Sequence, residues 1–106
     1  MESMKYLDEA PFAVTVCDEK GTIVYMNEKS KTTFASYGGG ALVGSSLPDC
    51  HPEAARNKLL TLLKEQKSNA YTIEKNGKRK MIYQSPWYAT GAFAGLVEIS
   101  LELPDE

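Results

Sequence analysis

Cysteine is scarce in this sequence, with only Cys17 and Cys50 among 106 residues. Two cysteines are too few for a disulfide-stapled scaffold, and their separation does not match the ligand spacing of zinc sites. We therefore expect two free thiols, with Cys17 packed as a small core residue in a strand and Cys50 in a loop. The alternative for Cys50 is a redox-sensing or metal-binding thiol whose pKa is lowered by a helix N-terminus.

An excess of basic residues is also missing, because 12 lysines and arginines face 14 acidic residues, for a formal net charge of −2. This balance argues against nucleic-acid binding, which needs a concentrated basic face, and provides no polybasic patch for a membrane. No apolar run approaches the roughly 20 residues that span a bilayer, and residues 1–5 lack the apolar core of a signal peptide. The chain is predicted to be one cytoplasmic domain over residues 1–106, with its core at 11–104.

Catalytic motifs are the third absence. The sequence has no Ser-His-Asp order, no paired carboxylates with clear spacing, and no phosphate-binding glycine loop followed by Lys and Ser or Thr. The glycine triplet at 38–40 has no such context. We therefore predict that the protein is not an enzyme.

Two long strands are predicted at the end of the chain. Residues 80–88 are rich in aromatic and β-branched side chains, residues 89–92 supply a glycine-containing turn, and residues 93–103 alternate apolar with polar residues. Two such runs predict an antiparallel hairpin. The alternation places Val97 and every second residue after it on the buried face, opposite Glu98.

Shorter elements precede this hairpin. Residues 12–17 and 22–26 predict a first pair of strands, and Asn27 is a good N-cap for the short helix that follows. Pro52 is predicted to be the first residue of the one long helix, because its missing N–H has no partner at that position. Asn-Gly at 76–77 then predicts a type I′ turn between the third and fourth strands.

The turn and strand at residues 18–26, followed directly by Asn27, resemble the opening of a PAS domain, and residues 95–100 resemble the last strand of that family. The resemblance implies an α+β fold, with a five-stranded antiparallel sheet in the order 2-1-5-4-3 and helices over one face. It also implies a ligand between the helices and the sheet. The glycine triplet at 38–40 departs from the usual helix-to-helix connection of the family.

The family resemblance makes a sensory or regulatory role the preferred hypothesis. Such a domain binds a small molecule in the cleft between helices and sheet, and relays occupancy through surface or dimer contacts to a signalling partner or output domain. The runner-up is a ligand-free interaction and dimerisation module with a filled core, and a homodimer is expected in either case. The predicted ligand-binding residues share an apolar or aromatic side chain, or a place at the rim of the cleft: Phe34, His51, Leu59, Leu63, Met81, Tyr83 and Val97.

The third alternative is a haem-based gas or redox sensor, and it depends on His51, the only histidine in the sequence, as the iron ligand. In haem-containing PAS sensors a histidine of the corresponding helical region ligates the iron, and haem commonly takes a histidine ligand. The competing interpretation makes His51 an exposed N-cap residue fixed in place by Pro52. No other metal ligand is predicted, and Glu98 is expected to pair with Arg79 or Lys80 across the sheet.

Overall fold

The computed structural model describes residues 4–104. Both ends of the predicted 1–106 domain, and most of residues 1–5, where a signal peptide would begin, lie outside the described residues. The described chain has three α-helices, five strands and short 3-10 turns. In chain order they are α1 (Lys5–Asp8), β1 (Ala13–Asp18), β2 (Ile23–Met26), α2 (Glu28–Thr33), 3-10 turns at Ala35–Tyr37, Gly39–Leu42 and Pro48–Cys50, α3 (Glu53–Glu65), β3 (Asn69–Lys75), β4 (Lys78–Ala89) and β5 (Ala92–Glu102).

The five strands form one antiparallel sheet in the order β2-β1-β5-β4-β3, which confirms the predicted topology. The turn between β3 and β4 holds Asn76 and Gly77 at φ of 53° and 76°, as a type I′ turn requires. Thr90 and Gly91, at φ of 53° and 83°, join β4 to β5 in the same left-handed region. The second turn therefore places a non-glycine residue where Asn or Gly is usually favoured.

The Asn27 side chain connects the first strands to the helices through hydrogen bonds. Its Oδ1 accepts hydrogen bonds from the backbone N–H groups of Ser30 and Val14, and its Nδ2 donates to the carbonyls of Leu7 and Phe12. The predicted N-cap is thus confirmed, and the same buried side chain also joins α1 to the start of β1. A six-residue helix is marginal on its own, so these contacts stabilise α2.

The core lies between the sheet and the central helices. It is built from buried apolar residues that both layers contribute: Cys17, Ile23, Met26, Leu47, Cys50, Leu59, Leu62 and Leu96. We call the face of the sheet toward this core the inner face and the opposite one the outer face. α1 is the exception among the helices, because Leu7 packs beside outer-face residues such as Val14 and Val97.

The two faces of β5 are the reverse of the predicted ones. Leu96 is fully buried in the core and Glu98 is 7% exposed, whereas Val97 lies on the outer face opposite Val16. The prediction failed because both alternate sets contain apolar residues, and period two does not say which set the helices cover. The predicted pairing of Glu98 with Arg79 or Lys80 is also wrong, because Glu98 lies opposite Gln84 and faces His51.

Two other local features position the inner face. Gly95 has φ of 148°, and a Cβ there would lie 2.0 Å from the Cys17 carbonyl oxygen, so only glycine lets β5 approach β1 this closely. Pro52 is the N-cap of α3 rather than its first residue, and Glu53 begins the helix. The predicted start of the long helix is therefore wrong by one position.

Candidate functional site

A cleft of about 430 Å³ opens on the inner face between the central helices and strands β3 to β5. Its walls include the aromatic rings of Phe34, Tyr37 and Tyr71 and the aliphatic side chain of Ile82, and Glu98 lies among the residues that line it. This volume is within the range of pockets that take small organic ligands. The cleft therefore combines an apolar wall with a buried carboxylate.

Local sequence places His51 beside Glu98. The residue before a proline is disfavoured in the helical region, and His51 accordingly has an extended backbone, with φ of −124° and ψ of 155° before Pro52. Its Nδ1 lies 2.9 Å from the Leu47 carbonyl oxygen, and its Nε2 lies 3.6 Å from Oε2 of Glu98. The edge of the Phe34 ring packs on the imidazole, with centroids 5.8 Å apart.

Both ring nitrogens of His51 therefore face oxygen acceptors. A neutral imidazole has one N–H and one lone pair, so only the protonated ring donates toward both Leu47 and Glu98. Burial lowers the pKa of His51, but the nearby Glu98 carboxylate and the Leu47 carbonyl outweigh that effect, and the net pKa is raised above the ordinary 6.5. The geometry thus favours an imidazolium–carboxylate pair.

A line of side-chain hydrogen bonds continues from Glu98 across the sheet. Gln84 on β4 donates from Nε2 to Oε2 of Glu98 at 2.7 Å, and Asn69 on β3 donates from Nδ2 to Oε1 of Gln84 at 3.0 Å. These residues are directly opposite one another in the ladder, so the register of the sheet aligns them. The network holds Glu98 in a fixed orientation and explains how a carboxylate is accommodated in the interior.

Of the seven predicted ligand-binding residues, the structure brings only Phe34 and His51 to the cleft. Leu59 is buried in the core, and Leu63 packs against that core. The other three are corrections, because Val97 lines a groove on the outer face, and Tyr83 and Met81 pair with Ile99 and Leu101 on that same face. They cannot contact a ligand held under the helices.

Glu98 is the residue that the sequence interpretation missed. The sequence predicts a cross-strand partner of Arg79 or Lys80 on the face opposite the buried one, whereas the Glu98 side chain is 8% exposed beside His51. The alternative of an exposed N-cap for His51 is also wrong, because Pro52 is the cap and the imidazole is 12% exposed. The available signal was a carboxylate in the middle of a strand whose immediate neighbours, Val97 and Ile99, are apolar.

The two thiols are buried and unpaired among the described residues. Burial raises the pKa of Cys50, and the nearby charges of Asp49 and Glu98 add to that effect. Burial also raises the pKa of Cys17 to about 11. The alternative in which a helix N-terminus lowers the pKa of Cys50 is therefore wrong, and the core assignment of Cys17 is confirmed.

A second, apolar groove of about 540 Å³ lies on the outer face. Leu7 of α1 borders it on one side, and Val14, Val16, Trp87 and Val97 of the sheet form its floor and far side. The Trp87 indole N–H donates to the Cys17 carbonyl at 2.9 Å, which fixes the ring at the end of β4. This groove contains no buried charged side chain from the described residues and differs in character from the cleft.

Comparison with known protein families identifies the family to which this fold belongs. The family model described as PAS fold matches residues 7–78. The chain belongs to the PAS family. No curated protein sequence matches it.

Solved PAS domains share the overall fold. The PAS domain of BvgS from Bordetella pertussis is 20% identical with a TM-score of 0.73, covering 98% of this chain and 86% of that one. A PAS domain from Colwellia psychrerythraea is 18% identical with a TM-score of 0.70, covering 96% and 94%. A sensory box sensor histidine kinase from Vibrio cholerae is 17% identical with a TM-score of 0.67, covering 98% and 91%. Identities this low establish the fold and nothing finer.

The residues of this PAS domain do not fit haem ligation by His51. Nδ1 is hydrogen-bonded to Leu47 and Nε2 faces Glu98, so neither ring nitrogen has a lone pair free to bind an iron in the cleft. Residues 4–104 contain no group of three or more His, Cys, Asp or Glu side chains placed to hold a metal ion. Within the same range, no helix has the length and apolar character to cross a membrane.

Proposed function

We propose that this PAS domain is a sensory module of a signalling protein, which binds a small molecule in the inner-face cleft. PAS domains are generally sensory modules rather than enzymes, and similar structures include sensor histidine kinases. The observation that carries the proposal is the cleft of about 430 Å³ that is lined by aromatic rings and has the buried Glu98 in its wall. A non-catalytic role and a cytoplasmic location stay predictions.

Occupancy of the cleft is proposed to change the outer face through the sheet itself. β5 carries Glu98 toward the cleft and Val97 toward the outer groove, so a small displacement of this central strand alters both surfaces. The outer face presents apolar side chains to a second copy or to an output domain. A ligand drives this change only to the extent that it binds one arrangement of the strand better than another.

A cleft-filling substitution tests ligand binding. Ala55 on α3 lines the cleft, whereas its neighbour Ala54 on the same helix is exposed and lies outside it, so Ala55→Phe and Ala54→Phe are matched variants. Native mass spectrometry of the purified proteins should show a co-purifying molecule, or rebinding of an added one, with wild type and Ala54→Phe but not with Ala55→Phe. Equal binding by all three proteins would place the ligand elsewhere and refute the proposal.

The second candidate is a dimerisation module, which the apolar outer groove favours. Tyr83 lies on the outer face with 42% of its surface exposed, and Tyr37 is comparably exposed on the opposite side of the sheet. Tyr83→Glu should therefore abolish a homodimer in sedimentation equilibrium, and Tyr37→Glu should leave it intact. If wild type dimerises but no ligand binds the cleft, this candidate replaces the first.

A further inference from the structure

One oxygen of the buried Glu98 carboxylate has no hydrogen-bond partner among residues 4–104. Oε2 accepts the hydrogen bond of Gln84 and faces His51, whereas Oε1 accepts none from residues 4–104. Every fully inaccessible side-chain nitrogen or oxygen of the described residues is hydrogen-bonded, so Oε1 retains some accessible surface. Because Glu98 lines the cleft and its side chain is only 8% exposed, that surface opens into the cleft.

The Glu98 carboxylate already has basic side chains around it. His51 faces the carboxylate from the segment before α3, and Lys75 and Lys80 line the cleft from β3 and β4. A cationic ligand would compete with the imidazolium for Glu98, and an anionic group at the same depth would be repelled by the carboxylate. An uncharged hydrogen-bond donor neither competes with the imidazolium nor is repelled by the carboxylate, because it donates to Oε1 without adding a charge to the pair.

The walls select the shape of the ligand. Phe34, Tyr37 and Tyr71 present rings to the cleft, and Ile82 lies on the inner face of β4. Aromatic rings stack or meet edge-to-face with a flat partner, and the volume of about 430 Å³ admits a molecule of one or two fused rings.

We propose that the cleft recognises a flat, uncharged molecule that donates an N–H hydrogen bond to Oε1 of Glu98. The inference rests on the proposed ligand-binding function and specifies the class of ligand that this site takes. The matched probes are indole and benzofuran, which have nearly the same shape but differ in whether a ring N–H is present. Benzamide and methyl benzoate form a second pair, in which the amide N–H donors are absent from the ester.

A hydrogen bond to a charged acceptor changes affinity by about tenfold or more. We therefore expect indole to bind at least about tenfold more tightly than benzofuran, and benzamide more tightly than methyl benzoate, in NMR titrations that map shifts to Phe34 and Tyr71. Weaker or equal binding of the N–H donors would refute the inference.

Glu98→Gln sharpens the test because the network dictates the orientation of the new amide. Asn69 donates to Oε1 of Gln84, so Gln84 must present its NH₂ group to position 98, and the amide oxygen must occupy the place of Oε2. The amide NH₂ then replaces Oε1 in the cleft, and the preference for indole over benzofuran should fall to about onefold or reverse. Ser100→Ala removes another polar group of the cleft and should leave the preference unchanged.

The outcomes separate the inference from the proposed function. If indole and benzofuran bind equally in the cleft, ligand binding stands and recognition by Glu98 is refuted. If the preference for indole persists in a folded Glu98→Gln protein, the N–H contacts another group and the inference is likewise refuted. If no probe shifts the cleft resonances of wild type, the inference is refuted, and the ligand-binding function is decided separately by the comparison of Ala55→Phe with Ala54→Phe.

Discussion

The His51–Glu98 pair makes the stability of the domain depend on pH in a defined direction. The perturbation is His51→Gln, which keeps a side chain able to donate a hydrogen bond but removes the charge. At the observed 3.6 Å and an effective dielectric constant of about 20, two unit charges attract by about 4 to 5 kcal/mol, and desolvation offsets most of that gain. We expect a net loss of about 1 to 3 kcal/mol in the free energy of unfolding near pH 5.5.

The sign follows from the direction of the pKa change. The pKa of His51 is raised in the folded protein, because Glu98 and the Leu47 carbonyl outweigh the effect of burial. Its stabilisation is therefore complete below the unfolded pKa of about 6.5 and is lost as pH rises through the folded pKa. The difference between wild type and His51→Gln should be largest in weak acid and shrink in weak base.

Urea denaturation at about pH 5.5, 7 and 8.5 measures this difference directly. Cys50 and Tyr71, which lie near the pair, should not titrate between about pH 5.5 and 8.5, because their pKa values are raised from ordinary values that already lie above this range. His51 is the only histidine in the sequence. Glu98→Gln is the matched control, since it should remove the same dependence from the other side of the pair. A stability difference that does not vary with pH would refute the ionic interpretation.

Three further predictions concern the frame around the site. Asn27→Ala removes four hydrogen bonds and should lower the free energy of unfolding by about 2 to 4 kcal/mol in urea denaturation. The control is Asn57→Ala at an exposed position, which should change the free energy of unfolding by less than about 0.5 kcal/mol in the same assay. Gly95→Ala would drive a methyl group into the Cys17 carbonyl and should lower the free energy of unfolding by more than about 4 kcal/mol. Gly91→Ala has open space around the new methyl group and should lower it by about 1 kcal/mol. Equal losses of stability would contradict the close approach of β1 and β5. Cys17, whose pKa burial raises to about 11, should resist alkylation at neutral pH until the protein is unfolded, and rapid labelling of the folded protein followed by mass spectrometry would show that the thiol is accessible.

Local sequence was sufficient for the turns and the order of the strands. Asn-Gly at 76–77 and Asn27 act through their own backbone and side-chain chemistry, which needs no distant partner to be recognised. The order 2-1-5-4-3 of the strands within the sheet was implied by the family resemblance, and the structure has that order.

The candidate site was predicted only in part. The sequence predicts Phe34 and His51 as ligand-binding residues because an aromatic residue near a short helix and a lone histidine stand out, and the structure places both at the cleft. Met81, Tyr83 and Val97 were assigned to the cleft because apolar residues were expected beneath the helices, yet they lie on the outer face. Hydrophobicity alone does not distinguish two faces that are both largely apolar.

The amino-acid sequence by itself determined the order of the five strands along the chain and the Asn-Gly turn between β3 and β4, because these features depend on local patterns and backbone preferences. Only the tertiary structure decided which face of β5 points inward, because burial of Glu98 depends on partners that are 14 and 47 residues away in sequence, Gln84 and His51. A carboxylate enters the interior when donors from other elements stabilise it, and those donors meet only after the strands have paired and the helices have packed.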